Sequence, residues 1–436
     1  MKRSLSVSLV ALLIAVCSLF SACGKPDHKN PGPAKPDSPS ATLDSTPVIY
    51  INTDDNAKIP ENKEAINCSV TLESKETQEC AENLRATVRC RGNGSMTVGK
   101  RTGKFPYKLK FNKKINLFGL GDGQAKDWIL LAHVGDQTML RNYAAKLLGD
   151  KLDGIPYSPN SKLVNVYLNG DYIGVYELTE QIEVNEYRVN INDTHTGPAN
   201  DFLVELDAYA KKPEEGDLSV VVGEQYYTVK SDVYNDEQLS YIKYCLMQVE
   251  NAILSGDKDA LSELVDMDSL IDMYLLQEFA KNIDVGYSSF YMYKTVDGKL
   301  FFAPPWDFDL AFGNDARLDD GAFEELYVGT GRPDFRQNHK WYIALFQNDW
   351  FVKMAAERWN EITDTIIPEV INEISTVAKT MEKDMEYNYD RWKFLGKKQQ
   401  QEPDAIVDLH TYKKHTDHLI RWMENRKDWL DIAFSM

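Results

Sequence analysis

The sequence predicts an α+β fold whose amino-terminal half is rich in strands and whose carboxy-terminal half is helical. In residues 47–90 the runs VIYIN, CSVTL and LRATVRC alternate apolar and polar side chains between polar turns, as strands do. Asn169-Gly170, between two further alternating runs, is a strong hairpin signal. From residue 237 onward apolar side chains recur at helical spacing. With 436 residues, the chain is long enough for one large or two ordinary domains.

The amino terminus predicts export and attachment to a membrane. Two basic residues precede an apolar run over residues 5–20, and small residues then lead to Cys23. This pattern predicts a signal peptide over residues 1–22 and a bacterial lipoprotein acylated at Cys23, with ordinary cleavage nearby as the alternative. Residues 23–46 are rich in proline and predict a linker that forms no core. We therefore expect the folded part to be lipid-anchored at the bacterial cell envelope.

The net charge of the chain argues against large anionic partners. The formal charge is −18 at pH 7. Such a field repels nucleic acid and anionic lipid headgroups, so no nucleic-acid partner is expected.

Four cysteines remain once Cys17 leaves with the signal peptide and Cys23 carries lipid. In an oxidising compartment four cysteines allow three pairings, which the sequence does not separate. Their spacing matches no zinc motif. We expect one disulfide among Cys68, Cys80 and Cys90.

The β-rich region, residues 47–185, contains a candidate phosphate-binding loop. RCRGNGS, at residues 89–95, places glycines and arginines at the end of a strand, and Lys108 lies on the next apolar run, FPYKLKF. Glycine lets the backbone approach a phosphate, and a lysine on the neighbouring strand can reach the phosphate oxygens. The alternative is an ordinary turn with a surface lysine, because neither a Walker loop nor GxGxxG is present.

Two later segments of this region also bear on function. Residues 138–152 predict a helix with one apolar face. Arg141 and Asn142 on this helix are expected to be solvated or to cap it, with a functional role as the alternative. The second strand of the Asn169-Gly170 hairpin runs into Glu180. In a kinase-like lobe this strand exit is the hinge against which a purine lies. A plain transition from strand to loop is the alternative.

Two acids stand out in FFAPPWDFDLAFGN, residues 301–314. Asp307 and Asp309 lie among aromatic side chains, where an ionised carboxylate is costly unless its charge is compensated. A metal ion would compensate it. The alternatives are loop capping or pairing with Lys or Arg, and a calcium site, for which no D-x-[DN]-x-[DN]-G loop is present.

The segment before these acids predicts that a third acid lies nearby. SFYMYK and KLFFA flank Asp297-Gly298, a turn signal, and together predict a hairpin. A hairpin returns its ends to the same place. Asp284, just before the first strand, is therefore expected near Asp307, just after the second. Protein kinases present their catalytic base and their metal-binding acid in this order, so residues 186–314 are the expected catalytic region.

Residues 315–436 are expected to be helical after a polar loop over residues 315–338, which is a candidate lid or substrate surface. Aromatic residues at helical spacing are usually part of a core. The tryptophans expected in this core are Trp350, Trp359, Trp392, Trp422 and Trp429.

Taken in order, the motifs of this chain resemble the CotH kinase family. They are RGNGS, FPYKLKF, LFGL with KDWILLAH, MLRN, VYLNGDYIGVYELTEQI, FLVELD, KNID and PPWDFDLAFGN. The resemblance is close over residues 89–314 and loose in the helical tail. It implies an atypical protein-kinase-like fold of two lobes, the first β-rich and the second helical. It also implies binding of ATP with Mg²⁺ and phosphorylation of Ser or Thr in secreted or surface proteins.

The resemblance implies a role for five residues. Asp284 resembles the family's catalytic acid and Lys108 its ATP-phosphate lysine. Asp307 resembles the metal ligand, with Asp309 as a second ligand or an orienting carboxylate. Glu180 lies in the family's strand exit and is assigned to the nucleotide.

The chain departs from ordinary kinases at one position. Those enzymes hold a second magnesium with an Asn five positions after the catalytic Asp, and that position here is Ser289. Asn282 and Asn314 are the nearby substitutes. Occupancy by a second metal is therefore an open question.

An envelope kinase acting on Ser or Thr is the leading hypothesis, and a non-catalytic surface adhesin or scaffold on the same fold is the alternative. The supply of ATP outside the cytoplasm is a difficulty for the first. A carbohydrate-associated surface lipoprotein is a third class, but it rests only on the abundance of Trp and Tyr, which the core explains.

Overall fold

Seven strands of the amino-terminal half close into a barrel, and five later strands form a second sheet. The computed structural model describes residues 46–75, 79–210 and 218–435. The predicted signal peptide, Cys23 and the linker up to residue 45 lie outside these ranges. The α+β class predicted from the sequence is confirmed by this mixture of sheets and helices.

The barrel has the strand order β1-β2-β3-β4-β5-β7-β6 and is closed by parallel pairing of β1 with β6, whereas its other neighbours are antiparallel. Its strands are β1 (Val48–Thr53), β2 (Ile66–Ser74), β3 (Glu79–Cys90), β4 (Tyr107–Ile115), β5 (Ala125–Leu131), β6 (Ser161–Leu168) and β7 (Asp171–Glu180). The predicted hairpin joins β6 to β7. Asn169 and Gly170 there have φ of 49° and 81°, which a tight hairpin turn requires and which these residue types tolerate.

The second sheet is antiparallel, with the order β12-β11-β8-β10-β9. Its strands are β8 (Phe202–Asp207), β9 (Ser219–Val222), β10 (Gln225–Val229), β11 (Ser288–Lys294) and β12 (Leu300–Phe301). The predicted hairpin over Asp297-Gly298 is confirmed, because Tyr293 pairs with Phe301 and Lys294 with Leu300.

The described residues form ten α-helices. They are α1 (Gly94–Thr102), α2 (Arg141–Lys151), α3 (Asp236–Ser255), α4 (Lys258–Leu264), α5 (Met267–Ala280), α6 (Lys340–Leu345), α7 (Asp349–Ile362), α8 (Ile366–Trp392), α9 (Asp404–Val407) and α10 (Tyr412–Ala433). The first of them was not predicted, because the short segment GSMTVGKRT is polar and carries no clear apolar stripe.

Helix α5 is buried on all sides, and its end delivers the chain to the second sheet. Every residue from Ser269 to Ala280 is buried, so the helix has no solvated face and no amphipathic pattern. Lys281 ends it in the left-handed conformation, with φ of 46°. The chain then turns through Asp284 into β11.

The carboxy-terminal helices pack as the tryptophan pattern predicted. Trp359 and Trp422 are buried, and Trp350, Trp392 and Trp429 pack against the same core while keeping part of their surface exposed. No helix within the described ranges combines the length and the apolar character needed to cross a membrane.

The disulfide expected among Cys68, Cys80 and Cys90 is wrong. Cys68 and Cys90 are free thiols buried in the barrel, and Cys245 is also free. No disulfide therefore joins any two of these four cysteines. Burial raises the pKa of Cys68 to about 12 and that of Cys90 to about 11. The two barrel cysteines act as small apolar side chains.

Candidate active site

A cleft of about 740 Å³ lies between the barrel and the second sheet. On the barrel side it is lined by the end of β3, the start of α1, β4 and the ends of β5 and β7. On the other side it is lined by β8, β11 and the loop that follows β12. Four of the residues predicted for the site line this cleft, namely Lys108, Asp284, Asp307 and Asp309.

Asp284 lies in the turn between α5 and β11. Its backbone N–H donates to Oδ1 of Asn282 at 3.2 Å, and its carbonyl oxygen accepts from the N–H of Tyr287 at 2.9 Å. Burial and, to a smaller extent, the charge of Asp307 raise the pKa of Asp284 to about 6. The predicted approach of Asp284 to Asp307 is thus present in the structure.

Asp307 and Asp309 lie on the loop after β12. Asp307 has φ of 69°, a left-handed conformation that few residues other than glycine adopt. Its Oδ2 accepts from Oγ of Ser289 at 3.2 Å. Burial raises the pKa of Asp309 well above its usual value, and the charges of Asp307 and Asp284 add to the effect.

Helix α2 holds this acidic loop in place. Oδ1 of Asn142 accepts from the backbone N–H of Phe308 at 2.8 Å, and Nε of Arg141 donates to the carbonyl oxygen of Ala311 at 3.1 Å. Arg141 in turn pairs with the buried carboxylate of Asp136. The solvated or capping role expected for Arg141 and Asn142 is therefore wrong. Both are buried and fix the position of the two acids.

The two asparagines considered as metal ligands donate to protein groups through Nδ2, and the buried Oδ1 of Asn314 has no hydrogen-bond partner among the described residues. Nδ2 of Asn282 donates to Oε1 of Gln277 at 3.0 Å. Nδ2 of Asn314 donates to the carbonyl oxygens of Asp309 and Gly135 at 2.8 and 2.9 Å. Both amides shape the loops that carry the acids.

The acids fit a divalent cation that is shared with a phosphate ligand. Three carboxylates crowd one part of the cleft, and their mutual repulsion is relieved either by protonation or by a cation. Among the described residues, no group of three or more His, Cys, Asp or Glu side chains is placed to hold a metal by itself. Mg²⁺ commonly takes one or two carboxylates and completes its shell with waters and phosphate oxygens. Asp307 and Asp309 match that donor set.

Lys108 lies in the wall of the cleft, whereas Glu180 lies outside it. Lys108 on β4 lines it, but its Nζ pairs with Oδ1 of Asp127 at 2.8 Å. Glu180 is buried outside the cleft lining, and its Oε2 accepts from the backbone N–H of Asn160 at 2.9 Å and from Tyr157 at 3.3 Å. Glu180 ties the loop before β6 to the end of β7.

The strand exit after Glu180 still reaches the cleft. Gln181 and Ile182, the next two residues, line it. A purine base bound against this strand exit would contact Gln181 and Ile182.

Sequence reasoning assigned no role to several charged residues of the second sheet. Glu205 and Lys230 both line the cleft, and Nζ of Lys230 pairs with Oε2 of Glu205 at 2.6 Å. Tyr291 on β11 hydrogen-bonds to Glu205. Polar residues in an otherwise apolar strand, such as Glu205 in FLVELD, were the available signal, because a buried carboxylate needs a partner.

A buried charge network lies behind the loop of Asp307. Nζ of Lys146 on α2 pairs with Oε1 of Glu177 at 2.8 Å, and Nε2 of His133 lies 2.5 Å from Oε2 of Glu177. Nζ of Lys146 also lies 4.7 Å from the ring centroid of Trp306. The network therefore links β5, α2 and β7 to the residue just before Asp307.

The Glu177 network predicts a loss of stability in acid. Although burial alone opposes ionisation, the charge of Lys146 and the hydrogen bond from His133 lower the pKa of Glu177 to about 2. The carboxylate stabilises the fold above the unfolded pKa of about 4.5, and this contribution is lost as pH falls towards 2. We expect Glu177→Gln to be less stable than the wild type at pH 7, because Lys146 is left buried and unpaired. The difference should shrink by about 2 kcal/mol at pH 3.

Urea unfolding at the two pH values measures this difference. Glu369→Gln is the matched control, because Glu369 pairs with Lys151 on the exposed surface at 2.9 Å. A difference between wild type and Glu177→Gln that is equal at pH 7 and pH 3 would contradict the prediction.

Comparison with known proteins identifies the family of this chain. A search of curated proteins returns no match. The family model described as CotH kinase protein matches residues 88–430, which include the barrel strands from β4 onward, the second sheet and the carboxy-terminal helices. This span covers most of the chain and contains every residue named above for the cleft. The chain therefore belongs to the CotH kinase protein family.

Proposed function

We propose that this chain is an atypical protein kinase that transfers the γ-phosphate of ATP, with Mg²⁺, to Ser or Thr of envelope or surface proteins. The observation that carries the proposal is the meeting of Asp284, Asp307 and Asp309 with Lys108 in one cleft. The β11–β12 hairpin brings Asp284 to the loop of Asp307 and Asp309, whereas Lys108 comes to the cleft from the barrel. Membership of the CotH kinase protein family supports the same class of activity.

In this proposal the acids have separate roles. Asp284 orients the hydroxyl group of the acceptor and takes its proton. The hydroxyl oxygen forms a bond to the γ-phosphorus, while the bond from that phosphorus to the bridging oxygen breaks and its electron pair leaves on ADP. Phosphoryl transfer needs little covalent help from the protein, so positioning and charge carry the catalysis.

Asp307 and Asp309 would hold the magnesium ion. When bound, the ion supplies positive charge to the phosphate oxygens and keeps them in a fixed orientation. The hydrogen bonds from the backbone N–H of Phe308 to Asn142 and from Asn314 to the carbonyl oxygen of Asp309 hold the two acids in position beforehand. Preorganised side chains of this kind cost little rearrangement during the reaction.

The decisive test is transfer of labelled γ-phosphate by residues 46–436 to an acceptor fraction from the same envelope. We expect Asp284→Asn to lower the rate by about 10²-fold or more, as for loss of a general base. The variant should still gain stability with Mg²⁺ and ATP, about 2.7 kcal/mol at a hundredfold excess over the dissociation constant. Thermal unfolding measures that gain.

Asp428→Asn is the control, since Asp428 is an exposed acid on α10. Full transfer by Asp284→Asn would refute the assignment of Asp284. A wild type that binds nucleotide but labels nothing would favour the alternative, a non-catalytic scaffold or adhesin on the same fold.

We also propose, from the sequence of residues 1–23, that the kinase is lipid-anchored at the cell envelope. A small-residue stretch that ends at Cys23 after an apolar run supports acylation there. Incorporation of labelled palmitate into the wild type, and its absence from Cys23→Ser, would support the anchor. Equal labelling of both would contradict it.

A further inference from the structure

Three cations in the cleft have no carboxylate partner among the described residues. They are Lys63, Arg89 and Arg91, and all three line the cleft. Nζ of Lys63 donates to Oδ1 of Asn93 at 2.9 Å, and Nη1 of Arg89 donates to the carbonyl oxygen of Cys90 at 3.3 Å. Neither of these partners carries a charge. Three positive charges are therefore gathered at one wall, and none of them forms an ion pair among the described residues.

Two other cations of the cleft wall, Lys108 and Lys230, do have carboxylate partners. Lys108 pairs with Asp127 at 2.8 Å, and Lys230 pairs with Glu205 at 2.6 Å. A cation already held by a carboxylate has less charge to offer an anionic ligand. The unpaired charge of the cleft thus comes from Lys63, Arg89 and Arg91 rather than from Lys108.

Arg91 lies beside the acidic loop. Its guanidinium carbon is 5.7 Å from the ring centroid of Trp306, the residue before Asp307. Burial lowers the pKa of Arg91, while the charges of Tyr291 and Asp307 partly oppose the shift. The charge of Arg89 lowers it further. Arg91 is partly buried, and a guanidinium that lies beside a second cation is in a position that an anion would stabilise.

The start of α1 lies at the same wall. Gly92, Asn93, Gly94 and Ser95 line the cleft, and the helix begins at Gly94. The side chain of Asn93 does not cap the helix, because it binds Lys63 instead. The first N–H groups of a helix have no intrahelical acceptor and favour anions. The wall therefore offers backbone donors as well as three cations.

We propose, building on the proposed function, that Arg91 with Arg89, Lys63 and the start of α1 binds the polyphosphate of the nucleotide. Arg91, which lies beside the loop of Asp307, contacts the phosphoryl group that is transferred and neutralises part of its negative charge. Lys108, which the family resemblance assigned to the phosphates, has the lesser role because Asp127 already holds it.

Binding of tripolyphosphate, without nucleotide or metal, tests the site independently of catalysis. Calorimetric titration of the wild type should show binding, and Arg91→Ala should weaken it by about 10- to 100-fold, as for loss of hydrogen bonds to a charged group. Lys108→Ala should weaken it less than Arg91→Ala does. The matched control is Arg85→Ala, since Arg85 lies on β3, the strand that leads to Arg91, but pairs with Asp54 on the exposed surface at 3.0 Å.

Kinetics with Mg²⁺ and ATP separate the roles of the two arginines. Arg91→Ala should lower kcat more than it raises KM, whereas Arg89→Ala should act mainly on KM. Arg91→Lys keeps the charge but loses the forked geometry of the guanidinium. It should therefore recover part of the loss in kcat and part of the rise in KM. If Arg91→Ala does not fold, Arg91→Lys is compared with Lys108→Arg in the same titration.

The outcomes separate this inference from the proposed function. A wild type that does not bind tripolyphosphate overturns the inference, and so does an Arg91→Ala protein that binds it as tightly as the wild type. A wild type that binds tripolyphosphate through Arg91 but transfers no phosphate supports the anion site and refutes the kinase activity.

Discussion

Asparagine in place of Asp307 is expected to lower kcat/KM for phosphate transfer by about 10³-fold. A catalytic metal contributes several kcal/mol to the transition state, and each 1.4 kcal/mol corresponds to about tenfold in rate. Asparagine keeps the size of the side chain and tolerates the left-handed backbone at this position, where φ is 69°. The change therefore removes one negative charge without distorting the loop.

Stability measurements show whether the loss is functional. Asp307 raises the pKa of both Asp284 and Asp309 through its charge. Removing that charge relieves repulsion, so Asp307→Asn should unfold at the same temperature as the wild type or higher when no ligand is present. Its gain in stability with Mg²⁺ and ATP should be smaller than that of the wild type.

Asp334→Asn is a suitable control, because Asp334 is an exposed acid that also has a left-handed backbone, with φ of 58°. It should behave as the wild type in both assays. Transfer by Asp307→Asn at the wild-type rate would show that Asp307 does not hold the catalytic metal.

The second large effect concerns stability. Methionine in place of Arg426 is expected to lower the free energy of unfolding by about 3–5 kcal/mol, because the charge of Glu278 would remain buried without a partner. Nη2 of Arg426 pairs with Oε1 of Glu278 at 2.9 Å, and both side chains are 0% exposed. Nη1 of Arg426 also donates to the carbonyl oxygens of Phe323 and Glu325 at 2.6 and 2.9 Å. One side chain thus joins α10, α5 and the loop after the site.

Glu278 completes this junction from the other side. Its carboxylate accepts from the backbone N–H groups of Tyr327, Val328 and Gly329 at 2.8, 2.9 and 3.2 Å. The middle of the polar loop over residues 315–338 is therefore fastened to the core. This part of the loop does not have the freedom expected of a lid, which the sequence suggested as one of its two roles.

Denaturant unfolding measures the effect of Arg426→Met. Lys413→Met on the same helix is the matched control, because Lys413 pairs with Asp417 on the exposed surface at 2.8 Å and such pairs contribute about 0.5 kcal/mol or less. Equal losses in the two variants would contradict the importance of the buried pair. Since α5 leads directly to Asp284, we also expect Arg426→Met to lose activity at a lower denaturant concentration than the wild type.

Local patterns in the sequence were enough for much of the fold. Asn169-Gly170 specifies a tight turn by its own backbone preferences, Asp297-Gly298 marks the longer loop over residues 295–299, and both hairpins are present. The hairpin over Asp297-Gly298 brings Asp284 near Asp307, and this follows from the local sequence alone. The expectation that these two acids meet was therefore available before the structure.

Other expectations failed where partners come from distant parts of the chain. Glu180 is engaged by Asn160 and Tyr157 outside the cleft lining. Arg141 and Asn142 are buried against the acidic loop although their own helix suggested a solvated position. An amphipathic pattern indicates which face of a helix is apolar, but it does not identify what packs against the polar residues.

The sequence by itself determined which segments form most of the strands and helices, where the two hairpins lie, and which acids are found in the cleft. These features depend on turn residues and side-chain periodicity, which act over a few residues. Only the tertiary structure decided which cations face those acids. Lys108 looked suited to a phosphate, yet Asp127 on the adjacent strand holds it, while Arg91 has no carboxylate partner among the described residues. Charge compensation depends on distances across the folded molecule, and these distances are set by how the barrel packs on the second sheet.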